Sequence, residues 1–377
     1  MAEVNVSYVI PTRDRPTSLA RTLGRIGSLP AHAAQVVVVD NASGSPAHVP
    51  PRLDNGITTR LIRLETNAGA AGRNRGAEAA GAGTDWLVML DDDSHPRDTA
   101  FLDALKRAPG NVLAVGADIV LPRVGCREGG GLPEVFIGCG VAIRRGAFLD
   151  AGGYDPAFHY YAEEYDLSAR LLLMGGRIRF EPAFGVEHHK VGAGRDMDLI
   201  LRRLVRNNGW VARRYAPDDD VQSELDEIRA RYRRIAQKEN AMASYEQGLR
   251  ELEATIGEQP RRAMSRALFD RFTGLAHARE AIAAAWQARR FTTAMIVEAG
   301  KNACVVERAL RELGVRLVRD PDTAEALVIG TMSPGPMLDA MDRLSPGPDG
   351  DRVIAPWDAS GSRVSSESRL RPSRPAA

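Results

Sequence analysis

A mostly parallel α/β sheet, followed by a helical region and a second, smaller α/β unit, is the fold class that this 377-residue sequence predicts. Three observations carry that expectation. In the first half, short runs of β-branched and apolar residues alternate with stretches of helical spacing, the pattern of a parallel sheet layered with helices. From about residue 195 to Trp286 the apolar spacing is purely helical. Beyond Phe291 the alternation returns. At roughly 150 residues per domain the length allows two or three domains, and we place them at 1–217, 218–290 and 291–357, with a Ser-, Arg- and Pro-rich tail at 358–377 expected to be disordered.

The elements follow in order. Val4 to Ile10 reads as a strand stopped at Pro11, and Ser18 to Ile26 as a helix. Gln35 to Val39 is a buried-type parallel strand that delivers Asp40 to its C-terminal end, the edge where open α/β sheets bind ligands. Arg60 to Leu64 is a further strand, Asn67 to Ala82 is Gly- and Ala-rich and helical, and Trp86 to Leu90 is a second buried strand ending at Asp91.

From Arg195 to Tyr215 one helical side collects Leu201, Leu204, Val205, Val211, Ala212 and Tyr215, and the other Arg202, Arg203, Arg206, Arg213 and Arg214. Six Arg against two Asp, 6 − 2 = +4, predict a basic face near an acceptor entrance, suited to an anionic acceptor or a peripheral membrane contact. Pro217 and Asp218 to Asp220 break the chain. Val221 to Ile256 then steps apolar residues by threes and fours, with Glu239 in the one polar seam position, which predicts one long heptad helix. Its seam should pack on a hairpin partner or across a homodimer axis. Pro260 ends that run, and Met264 to Trp286 adds further helix. In the last unit, strands at 294–298, 315–318 and 326–329, a helix at 305–313 and a loop at 333–336 look like half a Rossmann unit. The turn Glu298 to Asn302 lacks both GxGxxG and GxxxxGK[ST], which argues against a bound dinucleotide or ATP there.

Composition excludes several classes. With 44% hydrophobic and 26% charged residues the chain is neither disordered nor collagen-like. Fifty basic against 49 acidic side chains leave no global field to attract nucleic acid. Cys126, Cys139 and Cys304, with no CxxC spacing, predict reduced thiols rather than a disulfide framework. No apolar run reaches the roughly 18 to 20 residues of a membrane span, and the first residues enter a strand directly, so a cytoplasmic location, with at most peripheral contact at the inner membrane face, is expected.

The chemistry concentrates in Asp91, Asp92 and Asp93. Three adjacent acids after a buried strand repel one another, and burying them costs several kcal/mol each without a compensating cation. A hard divalent ion, Mg²⁺ or Mn²⁺, meets that need. Further acids, Glu163, Glu164 and Asp166, gather at the start of a helix, with Arg170 one turn beyond Asp166.

Several ordered stretches then resemble one family: VIPTRDRPTSLARTL, VVVDNAS, NAGAAGRNRG, LDDDSHP with its DxD pattern, and the block from Gly138 to Pro182. From Val4 to about Pro217 the chain is similar to family 2 glycosyltransferases of the GT-A fold. That resemblance implies an inverting, metal-dependent transfer of a hexose from a UDP- or dTDP-sugar donor to a glycan, lipid-linked or small-molecule acceptor. It implies that Pro11, Thr12 and Arg15 border the nucleotide, that Asp40 meets its base, and that Asn67, Gly69, Arg73 and Asn74 lie near the sugar diphosphate. Asp91 and Asp92 would face ribose and sugar, with Asp91 also near the metal that Asp93 ligates. His188 or His189 would add a metal contact. Gly138, Cys139, Gly140 and Tyr161 fall on the acceptor side. The catalytic base of the family falls on Glu164, with Asp166 and Glu163 as competitors.

In that scheme one displacement inverts the anomeric carbon while a carboxylate takes the acceptor proton, a positioned base being worth about 10²–10⁴ in rate. Two rival classes differ in readable ways. A sugar-phosphate nucleotidyltransferase needs a Gly-rich loop after the first strand, where this chain has PTRDRP, and a silent glycan-binding scaffold would have lost carboxylates that are all present.

Overall fold

The computed structural model describes residues 3–190 and 196–359. The chain opens with β1 (Val6–Thr12), α1 (Pro16–Gly27), β2 (Ala34–Asp40), β3 (Thr58–Arg63), α2 (Gly72–Ala79) and β4 (Trp86–Leu90). It continues through β5 (Ser94–Pro96), α3 (Ala100–Arg107), β6 (Val112–Leu121), β7 (Cys126–Arg127), β8 (Gly140–Arg144), α4 (Arg145–Asp150), α5 (Glu163–Leu173) and β9 (Arg177–His188). The main sheet runs β3-β2-β1-β4-β8-β6-β9-β5, with β7 beside β6. The first four strands are parallel, β8 is antiparallel to both neighbours, and β5 is antiparallel to β9. β6 and β9 are parallel again, so the sheet is mixed rather than mostly parallel as the sequence predicts, with helices flanking it.

Strand alternation splits the core by face: Val9, Leu87 and Met89 join one buried cluster, Tyr8, Ile10 and Val88 the other. β1 does not stop at Pro11. Pro11 pairs with Val39 of β2, whereas pairing with β4 ends at Val9 and Met89, so the missing proline N–H faces no strand there.

Next come α6 (Met197–Tyr215), α7 (Val221–Lys238), α8 (Met242–Thr255), α9 (Arg266–Thr273) and α10 (Leu275–Ala288). Arg195 of the expected basic helix lies outside the described residues. The single heptad helix is corrected to two: α7 ends at Lys238, Asn240 turns the chain at φ +53°, and α8 begins at Met242. The seam packs onto α6 instead of a long partner helix. At the α6–α8 crossing Gly248 stands so close that a Cβ there would come within 2.6 Å of the Arg202 carbonyl oxygen.

The basic face of α6 is also largely spent. Arg202 and Arg206 both pair with Glu251 of α8, Arg206 lies over the Trp210 ring, and Arg214 is 6% exposed. The acids at 218–220 pair elsewhere, Asp218 with Arg261 and Asp220 with Arg266.

The last unit holds β10 (Thr293–Val297), α11 (Ala303–Glu312), β11 (Arg316–Leu317), β12 (Ala326–Ile329), α12 (Pro334–Leu344) and β13 (Val353–Ile354), its parallel sheet ordered β11-β10-β12-β13. The stretch read as a loop at 333–336 opens α12, because Pro334 sits in the first turn, where its absent N–H costs nothing. This unit docks on the first sheet: Arg127 of β7 pairs with Asp339 and Asp342, and Gly130 N donates to Ser333 Oγ at 2.8 Å. Of the expected tail, residues 360–377 lie outside the described ones. No helix among the described residues is long and apolar enough to cross a membrane.

Candidate active site

Asp91, Asp92 and Asp93 follow β4 at the C-terminal edge of the parallel strands, and the ends of neighbouring elements close on them. From β1, Thr12 Oγ1 donates to Asp92 at 2.8 Å. Arg15, at the start of α1, spans two acids, 2.6 Å from Asp92 and 2.5 Å from Asp93. Arg73 of α2 pairs with Asp91 and donates to the Leu90 carbonyl at 3.2 Å. His188, the last residue of β9, sets Nε2 3.3 Å from Asp93 and Nδ1 3.0 Å from Glu128, which Lys190 also holds.

The three acids are therefore compensated by side chains. The sequence argument asks for a cation and names a divalent metal as one that fits; these side chains supply part of that charge. Burial alone would raise Asp93, but hydrogen bonds from His188 and Arg15 hold it well below the usual carboxylate range. Burial would lower His188, and its contacts with Asp93, Cys139 and Glu128 push it up to about 12 instead. At Asp92 burial prevails over Arg15 and Thr12 and lifts the carboxyl to about 7.

A cleft of ≈ 260 Å³ opens beside these groups and brings together Pro11, Thr12, Arg15, Arg73, Asp91 and Asp92, all singled out from sequence. Arg13, Asn41 and Tyr160 complete it. Other donor-side residues serve the backbone. Asp40 is fully buried and accepts from the Ser43 and Ala47 amides at 2.8 and 3.0 Å, bracing the loop that follows β2. Asn74 is committed to Tyr154, donating to its carbonyl and accepting from its amide. Asn67 caps Gly69 N at 2.9 Å, and Gly69 (φ +61°) lies so close that a Cβ would meet His159 O at 2.2 Å.

Asp91, Cys139 and His188 offer ligand atoms within 4.8 Å of one another. The hard donors Asp91 and Asp93 suit a Mn²⁺- or Mg²⁺-class ion, and His188, charged while both its nitrogens face carboxylates, would join them only by giving up its Nε2 proton, its Nδ1 staying on Glu128. Cys139, expected on the acceptor side, lies 3.5 Å from His188 as a thiol that burial pushes up. His189 accompanies neither; its ring pairs with Glu187 at 3.1 Å.

The second acid group opens α5. Asp166 is fully buried and saturated: Arg214 and Tyr215 donate to one oxygen at 2.8 and 2.6 Å, and Arg170 forks onto the other. An oxygen so occupied cannot also take a proton from an acceptor. Glu163 and Glu164 have no such cage. Burial raises both carboxyls, and at Glu163 the adjacent Glu164 raises it further. Arg73 acts on both carboxyls and Asp91 on Glu163, while Glu164 reaches Gly138, whose Cβ position would lie 3.2 Å from its Oε1. Gly138 precedes Cys139 and Gly140, so Glu164 looks onto the same segment as His188.

The loop before α5 is strained, with His159, Tyr161 and Ala162 all at positive φ. Asn207 of α6 holds it by donating to the carbonyls of Phe158, Tyr160 and Tyr161 at 3.1, 3.0 and 2.7 Å. Asn207 carried no sequence signal, nor did Glu128. Lys301 was read only as part of a turn without a phosphate motif. It is half-buried over the Tyr165 ring at 4.6 Å, and its charge favours the ionised form of Glu164.

Residues 7–130 match the family described as Glycosyl transferase family 2. The likeness covers about a third of the chain, the part that carries β1 to β4 and the three acids. The pre-mycofactocin glycosyltransferase of Mycobacterium tuberculosis strain CDC 1551 / Oshkosh is 28% identical to the chain over 211 residues, covering 49% of this chain and 42% of that protein. The protein of the same name from strain ATCC 25618 / H37Rv matches equally. The chain thus spans under half the length of these curated relatives. Among solved structures, GalNAc-T7 with UDP, GalNAc and Mn²⁺ is similar with a TM-score of 0.48 and 17% identity, covering 68% of this chain and 58% of that one. Mannosyltransferase PcManGT from Pyrobaculum calidifontis, in complex with GDP-Man and Mn²⁺, has a TM-score of 0.47 and 17% identity, covering 76% and 84%.

Proposed function

We propose that the chain transfers a hexose from a nucleotide-diphosphate sugar, UDP- or dTDP-linked, to an acceptor hydroxyl with inversion. The observation that carries this reading is the division of labour among its acids. Asp91 to Asp93 are clasped by Arg15, Arg73 and His188 at the cleft, while Glu163, buried, and Glu164, half-buried, lie beside it without an ion-pair cage.

In this mechanism Arg15 and Arg73 meet the diphosphate at the cleft, and Asp92 orients the sugar or ribose. Asp91, Asp93 and His188 would hold a Mn²⁺- or Mg²⁺-class ion, which when bound stabilises the departing diphosphate charge. Glu164, ionised, accepts the acceptor's proton, and the hydroxyl oxygen attacks the anomeric carbon opposite the leaving group. Tyr160, on the cleft wall, and Tyr161 lie in the loop that Asn207 shapes, on the acceptor approach. Arg203, over the Tyr160 ring at 5.9 Å, takes the role first given to the whole basic face and favours an anionic acceptor, glycan, lipid-linked or small.

The test is a panel of nucleotide sugars with Mn²⁺ or Mg²⁺ and the full chain, scored by nucleoside diphosphate release. Release with one donor class, abolished in Glu164→Gln, supports the reading. Donor binding with no turnover across acceptor classes, unchanged in Glu164→Gln, favours a silent binding module.

A further inference from the structure

The short antiparallel ladder of β5 and β9 presents two different faces. Its register sets Ser94 opposite His188 and His95 opposite Glu187. Ser94 and His188 both turn to Cys139: Ser94 Oγ donates to its carbonyl at 2.8 Å and His188 lies 3.5 Å from its thiol. Because strand residues alternate, His95 and Glu187 point to the opposite face. His189 joins them, its amide held by the Asp93 carbonyl at 2.8 Å and its ring stacked on His95 with centroids 5.4 Å apart.

Ligating atoms of His95, Glu187 and His189 all lie within 4.8 Å of one another. His189 Nε2 is 3.1 Å and His95 Nε2 3.7 Å from the same Glu187 oxygen. Tetrahedral ligands at the 2.0–2.2 Å of zinc sites stand about 3.3–3.6 Å apart, so the spacing needs little adjustment. The second observation is at His95 itself. Its Nδ1 is 3.1 Å from the Pro96 carbonyl, which only accepts, so Nδ1 carries the proton and Nε2 keeps its lone pair. That Nε2 is buried, in a residue 5% exposed, and has no hydrogen-bond partner. A backbone carbonyl fixing the far nitrogen is the usual outer support of a ligating histidine.

We propose that His95, Glu187 and His189 form a second metal site, distinct from the donor cleft, that takes one zinc-class divalent ion through two imidazoles and one carboxylate. Glu187, 33% exposed, leaves the fourth position open to water. Two nitrogens and one oxygen select zinc over the harder magnesium. The ion pins β5, which follows the three acids, to the end of β9, which bears His188. It is a staple behind the donor site and independent of the reaction assigned to it.

The experiment uses the full chain stripped with chelator and titrated with Zn²⁺ by calorimetry, with melting temperature read in parallel and Co²⁺ absorption as a geometry probe. To keep the donor cleft from contributing, it is run in Asp93→Asn with Cys139→Ser added, because Asp91, Cys139 and His188 also offer ligand atoms close together. The expected result is one ion per chain, a rise in melting temperature and a tetrahedral Co²⁺ spectrum. Affinity should drop about tenfold or more on adding His189→Ala or Glu187→Gln. Both side chains are partly exposed, so these variants should keep the fold, checked by circular dichroism. Absence of binding in that double variant, or an affinity unmoved by His189→Ala and Glu187→Gln, overturns the site.

Discussion

Two groups of acids flank one cleft and are treated in opposite ways. At the end of β4 each of Asp91, Asp92 and Asp93 has a cationic partner, and the partners come from three different elements. At the start of α5 one acid takes all the donors. Asp166 binds Arg170, Arg214 and Tyr215, which leaves Glu163, buried, and the adjacent, half-buried Glu164 both raised. Cations clustered near a cleft suit the capture of an anionic diphosphate, whereas a carboxylate spared such partners stays basic enough to accept a proton. The contrast assigns roles that residue type alone leaves open.

The largest expected effect breaks the contrast at its basic end. Glu164→Gln should cut kcat by about 10²–10⁴ while donor affinity stays near wild type. Since only the ionised carboxylate accepts a proton and burial raises its pKa, the rate should fall as pH drops, with a midpoint above the usual glutamate range. If Glu163→Gln shows this loss and Glu164→Gln does not, the two exchange roles.

Asp166→Asn strips one partner from a buried charge network and should cost about 3–5 kcal/mol in urea unfolding. A cost below about 1 kcal/mol would return Asp166 to candidacy as the base.

Asp93→Asn should cost about 1–3 kcal/mol at pH 7, opposite to the gain that relief of repulsion among three free acids would give. Asp93 is depressed in the folded state, so its stabilisation is present above the unfolded carboxylate pKa and fades as pH falls through the folded one. Unfolding curves for the two proteins should converge in acid, and a gap that widens there would contradict the pairing.

The smallest effect is at Lys301. Lys301→Met should move the acid limb of the kcat profile to higher pH with little change in its plateau, because a cation that favours ionised Glu164 is gone. An unmoved limb would show that the last unit does not tune the base.

Local order was legible and long-range order was not. The strand 86–90 and the acids after it stand out because a fully apolar run ending in charge has few other readings. The heptad run was misread because apolar spacing stays in phase across Lys238 to Met242, while the turn depends on one residue, Asn240, adopting positive φ. Asp40 and Asn74, expected as donor contacts, have polar atoms that serve backbone groups, which a side-chain motif cannot reveal. Asn207 and Lys301 act at separations of 46 residues and more, where periodicity carries no information.

The three carbonyls gathered by Asn207 bear on how this scaffold can be re-engineered. The acceptor-side loop does not own its shape; a carboxamide on a later helix lends it. Grafting residues 155–162 into a relative without a matching amide on the equivalent of α6 would deliver the right side chains on a backbone free to relax from its left-handed turns. A productive chimera therefore has to carry the loop and its helix together.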